Sequence, residues 1–288
     1  AHAAEGVRAL GGLAPSKIAT VATGPLGTVG WMWRHELTTD AQRAKVRKQV
    51  ASAYLPRLEK LGYTRRAGDT PQDVQLRGRL VGTLAMTYKV PQVRAALRKQ
   101  ADAVLKGDDQ GRLDFAAANP DLIGTALAVV VQDEGKPAVD RLIKALKTTT
   151  APAHRNAILG GLGSARGDQA TRVRNLAISN AVKVGEMAHL FYADRDTRAG
   201  RDAMWQWFVD NYDAIHKRIG AFASGYVPSL AGGGGCSETE ADRLTTFFTP
   251  RLKDLPGADR GLAQTTESIR LCAALKAAQK PENLSAAD

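Results

Sequence analysis

This chain is poor in the residues that usually announce a chemistry. It has two cysteines, five histidines and only 6% aromatic residues. Two cysteines allow one clasp and exclude a disulfide framework. One common hydrolytic zinc site places two histidines one helical turn apart, as in H-E-x-x-H. The nearest approach is His35-Glu36-Leu37-Thr38-Thr39, which lacks the second histidine. His2, His154, His189 and His216 stand far apart. The sequence has no G-x-S-x-G elbow and no Walker loop. The expectation is a chain that binds no catalytic metal and does not cleave peptides alone. No apolar run is long enough to span a bilayer, so no membrane partner is expected. Period-2 strand patterns and hairpin turns are missing too. The chain opens Ala1-His2-Ala3-Ala4, without an initiator methionine or a signal peptide. That opening reads as a processed product or a piece of something larger.

Acidic residues are outnumbered, 29 against 40 basic, for a net charge of +11 over 288 residues. Such an excess raises nucleic acid as a partner. The basic residues, however, are spread at helical spacing between apolar positions, as in Arg43, Lys45, Arg47 and Lys48 and again in Arg94, Arg98 and Lys99. They read as solvated outer faces. Without interleaved aromatics there is no stacking platform, so nucleic acid is not expected.

What the chain does have is helical periodicity. At 288 residues and 44% hydrophobic content it can bury a substantial core. Residues 1–38, rich in glycine and alanine, read as a truncated or irregular helical start. From Thr39 the pattern is clear. Thr39-Asp40 caps a helix bearing Val46, Val50, Tyr54 and Leu58, which Gly62 ends. Thr70-Pro71 caps a second, running through Leu84, and Pro91 opens a third. Further helices are predicted over 120–134, 137–146, 152–162, 169–178, 180–191 and 198–219. Pairs of short helices broken by Gly or Pro recur every 30–40 residues or so, the signature of a helical-repeat solenoid. The fold class is therefore all-α, an α-α superhelix of paired antiparallel helices of the HEAT or armadillo kind. It occupies 39–280, with a disordered tail at 281–288.

The last fifty-odd residues are the most informative. Ser237 and Glu240 read as a capping box. Leu244, Phe247, Phe248 and Leu252 follow at helical spacing, and Pro256-Gly257 turns the chain into another helix with Leu262, Thr266, Ile269 and Ala273 on its apolar face. Cys236 lies eighteen residues before Asp254, near the turn, and Cys272 eighteen after it. Two antiparallel helices folded there bring the sulfurs side by side. A Cys236–Cys272 disulfide implies an oxidising compartment, periplasmic or secreted. The alternative is two buried thiols, compatible with the cytoplasm.

This stretch resembles the C-terminal end of aminopeptidase N-like zinc metallopeptidases, whose closing helical domain is related to that of the endoplasmic-reticulum aminopeptidases. The resemblance rests on Cys236-Ser237-Glu238, Phe247-Phe248, Pro256-Gly257-Ala258-Asp259-Arg260, Leu262-Ala263-Gln264, Glu267 and Ile269. Upstream, Trp205-Gln206-Trp207-Phe208 through Asn211-Tyr212-Asp213 is similar to the family's W-x-W-(L/F)-x-x-N-(W/Y)-D segment. Leu61-Gly62-Tyr63, Gly68-Asp69 and Gln75-Leu76-Arg77 are similar to its opening. The resemblance runs from about Thr39 to Ala278. It implies the C-terminal domain of a bacterial-type zinc aminopeptidase, with its own catalytic domain and a peptide substrate as partners. Zinc belongs to that absent catalytic domain; the family's G-x-M-E-N motif is absent here as well. The runner-up is a stand-alone helical-repeat scaffold for a protein or peptide.

In the resembling family the inner basic residues of this domain receive the distal part of the peptide, which makes Arg77 and Arg270 candidate substrate contacts. The competing reading is structural ion pairs. Gly232-Gly233-Gly234-Gly235 precedes a helix N-terminus and reads as a flexible connector, with an anion site as the alternative. Glu186 and His189 read as solvated polar residues. Trp205 and Trp207 lie two apart on a helix, one entering the core and the other meeting a neighbouring helix.

Overall fold

The computed structural model describes residues 3–279 apart from Thr38, Asp109, Gln110 and Phe222. The described residues form fifteen α-helices and no strand, so the chain is all-α. The tail expected at 281–288 lies outside them. Two compact units divide the chain, one built on residues up to Val130 and the other on Val131–Ala278. The division falls at residue 130, whereas the sequence places its boundary at 38.

The first unit opens with two helices, α1 (Ala3–Leu13) and α2 (Ala19–His35), which pack on one another. Then come α3 (Asp40–Leu61), α4 (Pro71–Gly82), α5 (Pro91–Lys106) and the start of α6 (Ile123–Glu134). Thr39 caps α3 and Thr70 caps α4, each by a reciprocal bond with the residue three ahead, Gln42 and Asp73. The buried stripe of α3 is Val46, Val50, Tyr54 and Leu58. Buried tyrosines fasten α2 to its neighbours. The Tyr54 hydroxyl donates to the Ala22 carbonyl at 2.6 Å and that of Tyr88 to Leu26 at 3.2 Å. Burial pushes the Tyr54 hydroxyl up to about 12. After α4 the chain continues as a π-helical turn, Thr83–Thr87.

The second unit holds α7 (Lys136–Thr148), α8 (Pro152–Leu162), α9 (Asp168–Ala177), α10 (Met187–Phe191), α11 (Arg198–Asp210), α12 (Tyr212–Ile219), α13 (Val227–Gly232), α14 (Glu238–Phe248) and α15 (Ala258–Ala278). Sequence neighbours pack together: α7 on α8, α9 on α10, α14 on α15.

Three helices differ from their sequence reading. α6 starts at Ile123, not at Pro120, because the Asn119 side chain accepts from the Asp121 N–H at 3.1 Å and holds a turn first. Only Met187–Phe191 of the 180–191 segment is α-helical. The Lys183 N–H donates to the Glu186 carboxylate at 2.8 Å, fixing a 3-10 turn ahead of it. The 198–219 segment is two helices. At Asn211 the side-chain amide donates back to the Trp207 carbonyl at 2.8 Å and ends α11.

Candidate functional site

Cys236 and Cys272 form a disulfide with their Cα atoms 4.9 Å apart. Cys236 lies just before α14 and Cys272 well along α15, so the two helices run antiparallel. The cap of α14 differs from a simple capping box. Ser237 accepts from the Glu240 N–H, but the Glu240 carboxylate reaches the Cys236 N–H at 2.9 Å and the Ser237 hydroxyl at 2.8 Å. Its other oxygen takes Nε of Arg201 at 2.8 Å. Glu240 and Arg201 are both buried. Burial pushes the Glu240 carboxyl up, but the bonds from Arg201, Cys236 and Ser237 outweigh it and hold the group below its ordinary range. A buried pair of this kind demands full hydrogen bonding, and here it fastens α11 to the disulfide end of α14.

Gly232 to Gly235 is a close-packed segment, which corrects the flexible-connector reading. A Cβ on Gly232 would lie 2.1 Å from Leu244 Cδ1, and one on Gly235 would lie 3.3 Å from the Glu240 and Ile269 side chains. Arg195 donates to the Gly233 carbonyl and lies 5.0 Å from the centre of the Tyr192 ring. Burial pulls its guanidinium down to about 10.

The two candidate arginines sit in different environments. Arg77 is 1% exposed. It donates to the carbonyls of Gly62 and Leu61, at 3.0 and 3.1 Å, and to the Asp69 carboxylate at 2.6 Å. It thus ties the end of α3 to the loop before α4. Arg270 is exposed on α15 and bridges Glu238 and Asp242 of α14 at 3.2 and 2.9 Å. The bonds it donates to Asp242 and Glu238 raise its pKa. Arg77 and Arg270 belong to separate units.

Glu186 is buried and paired, unlike the solvated residue the sequence suggests. Arg155 grips it in bidentate fashion, Nε at 2.7 Å and Nη2 at 2.8 Å, while Nη1 donates to the Leu146 and Thr149 carbonyls at the end of α7. The Arg155 bond, with help from the Lys183 N–H, pulls the Glu186 carboxyl down to about 2. The tryptophans divide as expected. Trp207 is buried with its indole N–H on Asn175 at 2.8 Å. Trp205 meets Phe247 of α14 edge-on at 5.5 Å, and the Arg243 guanidinium lies 5.1 Å from the centre of its ring.

Residues 17–271 match the model of the ERAP1-like C-terminal domain. The chain belongs to this family. The match begins upstream of the Thr39 at which the resembling motifs start. The chain is 26% identical over 235 residues to Aminopeptidase M1-D of Oryza sativa subsp. japonica, covering 80% of the chain and 26% of that protein. It is 25% identical over 236 residues to Aminopeptidase M1 of Arabidopsis thaliana, covering 78% of the chain and 25% of that protein. The chain thus spans about a quarter of the length of these relatives. The relatives are plant proteins, and nothing in them speaks for the bacterial origin that the motifs suggest. In the family domain described here, no helix is long and apolar enough to cross a membrane, among the described residues.

Sequence reasoning missed the buried arginines Arg174 and Arg201 and the half-buried Arg155. A signal was present for two of them. Arg155 precedes Ile158 and Leu162, and Arg201 precedes Met204 and Phe208, at three and seven residues. These positions lie in phase with the apolar stripe, so the guanidinium must enter the core.

Proposed function

We propose that this chain is the C-terminal domain of a zinc aminopeptidase. It encloses the active-site chamber and contacts the part of a peptide substrate distal to the cleaved residue. The family match over residues 17–271 carries this reading, supported by two relatives that are both named aminopeptidases. The catalytic partner is the remainder of the parent protein. Zinc in such an enzyme activates the water that removes the N-terminal residue. The described residues do not fit that ion. His35 ends α2, and the position four residues on is Thr39, which caps α3. Cys236 and Cys272 are consumed in their disulfide. The disulfide favours an oxidising location, periplasmic or secreted. Sequence-adjacent helix pairing supports the HEAT-like repeat reading.

Of the two candidate arginines, Arg270 is the better peptide contact, because its guanidinium keeps exposed surface while that of Arg77 is spent on the chain's own carbonyls. The test compares the parent enzyme with a version lacking residues 17–271, supplied with the missing domain in trans or left without it. Substrates are an aminoacyl anilide and a ten-residue peptide. The expected result is a loss of kcat/KM for the long peptide well beyond that for the anilide, recovered when the domain is added. Equal losses on both substrates, with no recovery specific to the peptide, would remove the chamber role.

A further inference from the structure

The second unit contains a cleft of about 710 Å³ between α13 and α15. Its making is local. The Ser224 hydroxyl donates to the Pro256 carbonyl at 2.7 Å, which presses the turn at 224–226 against the start of α15. The approach is so close that a Cβ on Gly261 would lie 2.1 Å from the Gly225 carbonyl oxygen. Gly233 and Gly234 form the opposite wall, and Gly234 has a left-handed φ of 88°. Glycine walls leave the main chain open to a ligand.

The lining chemistry is one-sided. Arg260, Gln264 and Ser268 stand four residues apart along the exposed side of α15, and Ser229 faces them from α13. No acidic residue lines the cleft. Among the described residues the Arg260 guanidinium makes no ion pair or hydrogen bond, and the Gln264 and Ser268 side chains are equally unengaged. The contrast with Arg155, Arg201 and Arg270, each held by a carboxylate of its own chain, marks Arg260 as a cation without a counter-charge. Arg195, bonded to the Gly233 carbonyl, adds a second positive group behind the wall. Eight helical residues span about 12 Å, the length of three or four residues of extended chain. Tyr226, 73% exposed at the rim, offers a flat apolar surface beside the row of donors.

We propose that this cleft binds an extended peptide segment, with Arg260 paired to a carboxylate on it and Gln264, Ser268 and Ser229 bonded to its main chain. The inference rests on the reading that the domain contacts peptide, and it adds a contact at a residue outside the two arginines considered above. The carboxylate is either the free end of the chain or an acidic side chain within it.

The test uses the 288-residue chain and a fluorescent ten-residue neutral peptide in three forms: free acid, C-terminal amide, and amide with one internal glutamate. Anisotropy titrations are run on the wild type and on R260Q. Because Arg260 is exposed and unpaired, R260Q should keep the wild-type circular dichroism and Tm. The free acid is expected to bind the wild type and to lose about tenfold or more in affinity with R260Q. The amide should show the same loss on the wild type and no further loss on R260Q. Recovery by the glutamate form would assign the carboxylate to a side chain; failure to recover would assign it to the chain end. If all three peptides bind alike and R260Q changes nothing, the cleft is not the site, while the peptide-contact reading stands. If no peptide binds the wild type, the contact reading falls and this inference with it.

Discussion

The two units solve the same problem with different materials. In the first, helix ends and loops are gathered by long polar side chains that reach main-chain carbonyls. Arg77 holds Leu61 and Gly62, Arg47 holds Tyr88 at 2.7 Å, and the tyrosines Tyr54 and Tyr88 hold α2. The second uses such bonds too, from Arg155, Arg174 and Arg218, but adds joints of side chain to side chain. Phe191, Trp207, Phe208, Phe247 and Phe248 form a continuous aromatic cluster, buried carboxylates meet arginines, and one disulfide ties α14 to α15. The first unit's arginines cap carbonyls that helix ends leave orphaned, while its tyrosines bond to carbonyls within α2. The second unit's joints fix where one helix sits on the next, and the cleft between α13 and α15 depends on that placement.

The largest effect should follow from opening the disulfide. Closing a loop of 36 residues contributes about 4 kcal/mol in the chain-entropy model. A double C236A/C272A variant should therefore lose stability in chemical denaturation, with the unfolding of α13–α15 moving first in hydrogen exchange. Mass spectrometry of the non-reduced protein should find no free thiol. Two alkylatable cysteines in protein kept from reductant would break the comparison at its strongest point.

Arg77→Ala should cost about 3 kcal/mol, because it empties a buried site, leaves the carbonyls of Leu61 and Gly62 unpartnered and leaves Asp69 with only the Arg66 N–H. Its effect should be confined to the first unit. Loss of peptide binding without loss of stability would instead make Arg77 a ligand contact and merge the two units' roles.

Acid should act on the second unit through Glu186. Its folded pKa lies below its ordinary value, so the pair's contribution is complete above about 4.5 and fades as pH falls toward about 2. A urea series from pH 6 to pH 2.5 should show this decline, and Arg155→Ala should flatten it. An unchanged slope would mean that the pair forms in the unfolded chain as well. The smallest effect belongs to Arg270→Ala. An exposed bridge is screened by water, so Tm should barely move while any role in peptide binding still registers as affinity.

Much of the first unit was legible because its signals are local. A capping threonine with its partner three residues on, or a proline at the first helical position, needs no tertiary context, and α3, α4 and α5 begin where those residues say. The symmetric placing of Cys236 and Cys272 about Asp254 is likewise a property of spacing. What escaped reading depends on distant partners. Nothing near Glu186 in sequence names Arg155, 31 residues away. Asn211 reads as a surface residue until its amide turns back on Trp207 and splits the helix. The cleft escaped for the same reason. Arg260 lies in a stretch that reads only as the start of a helix, and its isolation is visible once Gly225 and Gly261 have let the 224–226 turn close on α15.

The most direct test of the account is a hydrogen–deuterium exchange map of the 288-residue chain with and without a saturating ten-residue peptide. The account predicts protection over residues 224–234 and 257–269, with α3–α5 unchanged. Protection confined to the neighbourhood of Arg77, or none anywhere at saturation, would contradict it.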